Sequence, residues 1–128
     1  MSAPIYLYTG PEAGERKDAV EKIKKTLRKD FGDLEEYNFY ASETSVNEFM
    51  SVLQNESLFS SATCVVVKNA EVIKKKEDIE TIVNWVSSVN TQSSVLILTS
   101  DSVSIDTKIE KAVPTQNKKI FWEMFEDR

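Results

Sequence analysis

The first residues to test for chemistry follow the opening apolar run: Gly10-Pro11-Glu12-Ala13-Gly14-Glu15-Arg16-Lys17-Asp18. A turn at this place cradles nucleotide phosphates when it reads Gly, four residues, then Gly-Lys-Ser/Thr. Backbone N–H groups, an ammonium and a hydroxyl then surround phosphate and Mg²⁺. Counting from Gly10, the three closing positions hold Glu15, Arg16 and Lys17. Glu15 sets a carboxylate where phosphate would lie, and no hydroxyl is offered to a metal. The competing reading is a structural turn that starts a solvated helix.

A second test falls after Val65-Val66-Val67, where an acidic pair would hold a metal or a single aspartate would accept a phosphoryl group. Lys68 and Asn69 stand there, and the first acid is Glu71. Asp101 follows Thr99-Ser100 without a second acid, histidine or cysteine nearby, and reads as a turn or capping residue. The chain has no histidine, which removes the commonest general base and metal ligand. With one cysteine, a Cys/His zinc site cannot be built. Cys64 lies among β-branched residues, with no electropositive neighbour to lower its pKa, and reads as a small buried apolar group. No set of residues is left to share a reaction, so no catalytic residue, cofactor or metal is expected.

One feature is of a different kind. In Asn55-Glu56-Ser57-Leu58-Phe59-Ser60-Ser61-Ala62, two large apolar residues stand in a polar connection. Leu58 and Phe59 either fold back as loop anchors or form an exposed wedge that enters a partner's pocket. Full burial of such a side chain is worth roughly 1.5–3 kcal/mol, enough for a central hot spot. Pattern alone leaves both readings open.

The elements that would position these residues follow from periodicity. Ile5-Tyr6-Leu7-Tyr8 reads as a strand, and Pro11 suits the first turn of a helix. That helix carries Val20, Ile23, Leu27 and Phe31 on one stripe, with Lys22, Lys24, Lys25, Arg28 and Lys29 around it, until Gly32 stops it. Leu34–Tyr40 is a second strand. Ser45 and Glu48 fit a capping box before a helix with Val46, Phe49, Met50 and Leu53 inward. Cys64–Val67 and Val95–Leu98 are unbroken apolar strands of the type buried on both faces. A helix over Lys74–Asn90 separates them, turning Ile79, Ile82, Val83, Trp85 and Val86 inward. Ser104 is expected to cap a short helix bearing Ile105, Ile109 and Val113, ended by Pro114, before a last strand over Lys118–Phe125. The order implies an α/β fold: three layers, a mainly parallel five-stranded sheet, helices on both faces and right-handed crossovers.

Length and composition agree. The 128 residues suit one domain, and 41% apolar with 29% charged residues is globular rather than disordered. There is no apolar run long enough to span a membrane, no secretory signal and no possible internal disulfide, so the cytoplasm is the expected compartment. A net charge of −5 argues against strong nucleic-acid binding. Lysines 22, 24, 25 and 29 with Arg28 read as a solvated helix face more readily than a DNA contact, and Lys74-Lys75-Lys76 as a helix start.

Ser57-Leu58-Phe59-Ser60 leading into Cys64-Val65-Val66-Val67-Lys68-Asn69-Ala70-Glu71 resembles the N-terminal domain of the delta subunit of bacterial DNA polymerase III, a clamp-loader component. Ile5-Tyr6-Leu7-Tyr8-Thr9-Gly10-Pro11-Glu12 is similar to that family's start, and Ser94–Leu98 with Lys118–Phe121 to its final strands. The resemblance implies an AAA+-like (P-loop NTPase-like) domain over residues 1–128 with a degenerate nucleotide site. It also implies that Leu58 and Phe59, with Ser57 and Ser60 shaping the turn, enter a hydrophobic pocket of the ring-shaped sliding clamp (the beta subunit) and favour its opening for loading on primed DNA. Other loader subunits are implied partners of the full-length protein, DNA contact by this domain is at most weak, and family members carry a helical lid and a collar domain after this one. Two readings compete with this. One is a nucleotide-binding regulatory or enzymatic domain using Arg16 and Lys17 in an atypical phosphate loop; the other is an interaction domain with some other partner.

Overall fold

The computed structural model describes residues 4–54, 61–89 and 93–122. Among the described residues five strands and four α-helices alternate: β1 (Ile5–Thr9), α1 (Ala13–Phe31), β2 (Leu34–Tyr40), α2 (Val46–Gln54), β3 (Ala62–Lys68), α3 (Lys76–Ser88), β4 (Ser94–Ser100), α4 (Thr107–Ala112) and β5 (Lys118–Ile120). All strand pairs are parallel, in the order β2-β3-β4-β1-β5. The expected α/β class, strand number and three-layer arrangement are what the chain adopts.

Alternation along the central strands explains why they read as unbroken apolar runs. Val65, Val67, Leu96, Leu98, Ile5 and Leu7 face one side, where Phe49, Met50 and Leu53 of α2, Ile79, Ile82 and Trp85 of α3, and Ile109 of α4 cover them. Cys64, Val66, Val95 and Ile97 face the other side, covered by Val20, Ile23, Leu27 and Phe31 of α1. A strand covered on both faces has no solvent side on which to place polar residues. β2 is an edge strand and alternates instead, with Tyr37 and Phe39 turned towards α2.

Local chemistry sets the element ends. Gly32 adopts φ 91°, a conformation glycine enters without strain, and its N–H donates to the Arg28 carbonyl at 2.9 Å to close α1. Ser45 Oγ accepts the Glu48 N–H at 3.2 Å, which is the Ser45 half of the expected capping box. Four expectations shift. Pro11 lies outside α1, because Glu12 is the residue that caps it. α3 runs only from Lys76 to Ser88, with Lys75 as its cap. α4 is capped by Asp106 and not by Ser104: the Asp106 carboxylate accepts from the N–H groups of Lys108 (2.9 Å) and Ile109 (3.3 Å). β5 ends at Ile120, because the Phe121 carbonyl turns to accept the Glu12 N–H at 3.1 Å and the chain follows the β1–α1 turn. Among the described residues no helix is long and apolar enough to cross a membrane.

Candidate functional site

In a parallel sheet the carboxyl ends of the strands are the place for ligands, above all where neighbouring strands send their connections to opposite faces. Here that place lies between β1, which leads into α1 on one face, and β4, which leads into α4 on the other. The Gly10–Asp18 turn sits there.

The turn is closed by the protein's own groups. Gly10 adopts φ 106°, and its N–H donates to the Ser100 carbonyl at 3.0 Å. A Cβ at this position would lie 2.3 Å from the Phe121 carbonyl oxygen, so only glycine lets β5 pass. Glu12 Oε1 accepts the Gly14 N–H at 2.9 Å. The carboxylate at the helix start is therefore that of Glu12 rather than Glu15, which is exposed in the first turn. A phosphate arriving there would meet a negative charge already using the N–H that should bind it.

The neighbouring strand ends are equally committed. Asn69 follows β3 in a left-handed conformation (φ 61°) and donates from Nδ2 to Ser42 Oγ at 3.3 Å. Glu71, the first acid after β3, accepts the buried Ser100 hydroxyl at 2.6 Å. Asp101 stands in the bend after β4, as a turn residue and not a helix cap, and is the ion-pair partner of Arg16. That pair ties α1 to the end of β4. Among the described residues no group of three or more His, Cys, Asp or Glu is placed to hold a metal.

Two charged residues of α1 differ from the solvated face expected of them. Lys24 is buried, with Nζ 3.1 Å from Glu36 and 3.4 Å from Glu21, and Arg28 also pairs with Glu36. Burial pulls the Lys24 ammonium down, but the hydrogen bond to Glu36 and the charges of Glu21 and Glu36 outweigh it and hold its pKa above the usual value. Burial pushes Glu36 up, yet Lys24 and then Arg28 overcome this and hold it below the carboxylate range. Lys24 and Arg28 are thus tied to β2, while Lys22, Lys25 and Lys29 remain exposed. The Cys64 thiol is fully buried, and burial pushes its pKa up to about 12, which keeps it from acting as a nucleophile near neutral pH.

Ser57, Leu58, Phe59 and Ser60 lie outside the described residues. Their flanks are placed. Leu53 is buried at the end of α2, and Ala62 opens β3 with its N–H donating to the Asp33 carbonyl at 3.2 Å. Because the strands are parallel, these flanks stand at the amino edge of the sheet, about 20 Å of strand length from the Gly10 turn.

Glu12, the Arg16–Asp101 pair and the Lys24–Glu36 contact were not predicted as partners. A carboxylate two residues before Gly14 is a local cue for the first, whereas the other two join residues distant in sequence.

A family model described as "DNA polymerase III, delta subunit" matches residues 6–122. A search of curated proteins gives no match. Among solved structures, the Bacillus subtilis DNA clamp loader delta protein (YqeN) superposes with a TM-score of 0.72 at 20% identity, covering 94% of this chain. The chain spans 39% of that protein's length.

Proposed function

Because the chain belongs to the DNA polymerase III delta-subunit family, we infer that it is the AAA+-like first domain of a clamp-loader subunit and grips the sliding clamp through Leu58 and Phe59. The observation that carries this reading is the extent of the family match, 6–122, which takes in Ser57-Leu58-Phe59-Ser60 together with both flanks. On this reading the domain is non-catalytic. Its phosphate turn has been refilled by Glu12 and by the Arg16–Asp101 pair, and the chemistry that powers loading belongs to other loader subunits.

The described flanks of the wedge, Leu53 and Ala62, and the Gly10 turn stand at opposite edges of the sheet. Such a layout lets the domain press on the clamp from one side while the loader holds it from elsewhere. Helix α2 ends at Gln54, before the wedge in the chain, and its buried stripe of Val46, Phe49, Met50 and Leu53 anchors it to the core. The helical lid and collar domain of longer family members would follow this domain in the full-length subunit, and any DNA contact made here would be weak.

The test is binding of the chain to purified sliding clamp, measured by surface plasmon resonance. Leu58→Ala with Phe59→Ala should weaken binding at least 100-fold, since each apolar side chain contributes roughly 1.5–3 kcal/mol when buried. Circular dichroism should show the same fold. Unchanged affinity, or loss of the fold, overturns the wedge.

A further inference from the structure

On the α1 side, beyond the carboxyl ends of β2, β3 and β4, lies a cleft of about 540 Å³. Its walls carry four cations, Arg16, Lys17, Lys24 and Lys68, against two carboxylates, Glu21 and Asp101. That excess of positive charge occurs in a chain whose net charge is −5. The cations are not equivalent. Lys24 is held by Glu21 and Glu36. Lys17 is exposed and makes no ion pair among the described residues, and Lys68 is exposed with its ammonium 5.5 Å from the centre of the Tyr40 ring.

Arg16 is the informative one. Its side chain is only 12% exposed and donates from Nη2 to one oxygen of Asp101, whose own side chain is 84% exposed. The Arg16 Nε–H is buried with no acceptor among the described residues. A guanidinium fork is built to hold two oxygens through Nε and Nη, so this one is half used. Asp101 fills one position of the fork, and its own side chain is largely open to solvent.

We propose that this cleft binds a small multivalent oxyanion, of the pyrophosphate or polycarboxylate type, between Arg16, Lys17 and Lys68, with Asp101 holding Arg16 when the anion is absent. The anion would displace Asp101 and supply the second oxygen to the guanidinium, while the two lysines neutralise its remaining charge. No metal is required. The helix start is already filled by Glu12, and the Ser100 hydroxyl is committed to Glu71, so the binding differs from that of a Mg²⁺-nucleotide in a phosphate loop. The proposal does not depend on the proposed clamp contact, whose described flanks, Leu53 and Ala62, stand at the opposite edge of the sheet.

The experiment is an NMR titration of the chain, following the Arg16 Nε–H and the amides of residues 16, 17, 68 and 101. Pyrophosphate and citrate are added separately without Mg²⁺. Either anion should shift these signals, with dissociation constants of about 1 mM or tighter, and the tighter of the two identifies phosphate or carboxylate as the preferred group. Lys17→Ala with Lys68→Ala should weaken binding about tenfold, because two of three charge contacts are lost. Asp101→Asn should tighten it about threefold, because Arg16 loses its internal competitor. Lys17 and Lys68 are exposed, so their replacement leaves the core intact; Asp101→Asn also removes the tie between α1 and β4, so circular dichroism is used to verify its fold. The proposal fails if neither anion shifts the signals up to about 10 mM, if binding needs Mg²⁺, or if the Lys17/Lys68 and Asp101 variants bind as the parent does.

Discussion

Replacing Glu36 by glutamine should destabilise the domain through Lys24, a residue on a different element. The Lys24 side chain is 7% exposed and its ammonium lies 3.1 Å from Glu36, which is itself 31% exposed. At that separation and an effective dielectric constant near 20, the gross attraction is about 5 kcal/mol, most of it offset by desolvation of the pair. Removing one partner of a fully buried pair costs about 3–5 kcal/mol, because the other charge is left stranded. Two features reduce the cost here. Water reaches the exposed third of Glu36, and Glu21 remains 3.4 Å from Lys24, although it is half exposed and screened. A loss of about 2 kcal/mol is expected, or a fall in Tm of about 8 °C for a domain of this size. Losing the Arg28 contact adds little, since that side chain is 44% exposed.

Urea denaturation of Glu36→Gln, Lys24→Met and the double variant measures the coupling. Lys24→Met replaces the buried charge with an apolar chain of similar size and should cost well under 1 kcal/mol. In that background Glu36→Gln should be nearly neutral. A Glu36→Gln cost below about 0.5 kcal/mol, or equal and additive costs for both substitutions, would refute this account of Lys24. The pH dependence carries a second check. Glu36 is held below its unfolded pKa, so its contribution is present above about pH 4.3 and is lost as pH falls through the folded value. Lys24 is held above its unfolded pKa, so its contribution is complete below about pH 10.4 and is lost as pH rises through the folded value. Glu36→Gln should flatten the acid limb of the stability profile.

Gly10→Ala should destabilise by about 3 kcal/mol or more, measured by thermal denaturation, because φ 106° is strained for alanine and its Cβ would meet the Phe121 carbonyl oxygen at 2.3 Å. Asp106→Ala should cost about 1 kcal/mol by loss of the α4 cap, while Ser104→Ala should stay within about 0.5 kcal/mol; the reverse ranking in urea titrations would place the cap at Ser104. Cys64 should resist a thiol reagent such as DTNB at pH 8 in the native protein and react at once in denaturant, since its pKa is about 12 and its side chain is fully buried.

The division between what the chain order determined and what the folded molecule decided follows the range of the interactions. Unbroken runs at Cys64–Val67 and Val95–Leu98, set between helices with apolar stripes, already required a parallel sheet covered on both faces. Glu15, Arg16 and Lys17 stood where a phosphate loop needs Gly, Lys and a hydroxyl, so the defect in that loop was legible residue by residue. Ser45 announced its cap, because a capping contact spans three positions. What fills the turn after β1 was not legible. The Glu12 carboxylate takes the Gly14 amide only once α1 has started at Ala13, and Arg16 meets Asp101 only because β1 and β4 are neighbours in the sheet. Lys24 looked like one more solvated lysine until β2, lying beside β3, brought Glu36 under it. Periodicity reports which face a residue occupies along its own element. Which charge waits on the next element is decided by strand order, and strand order exists only in the folded chain.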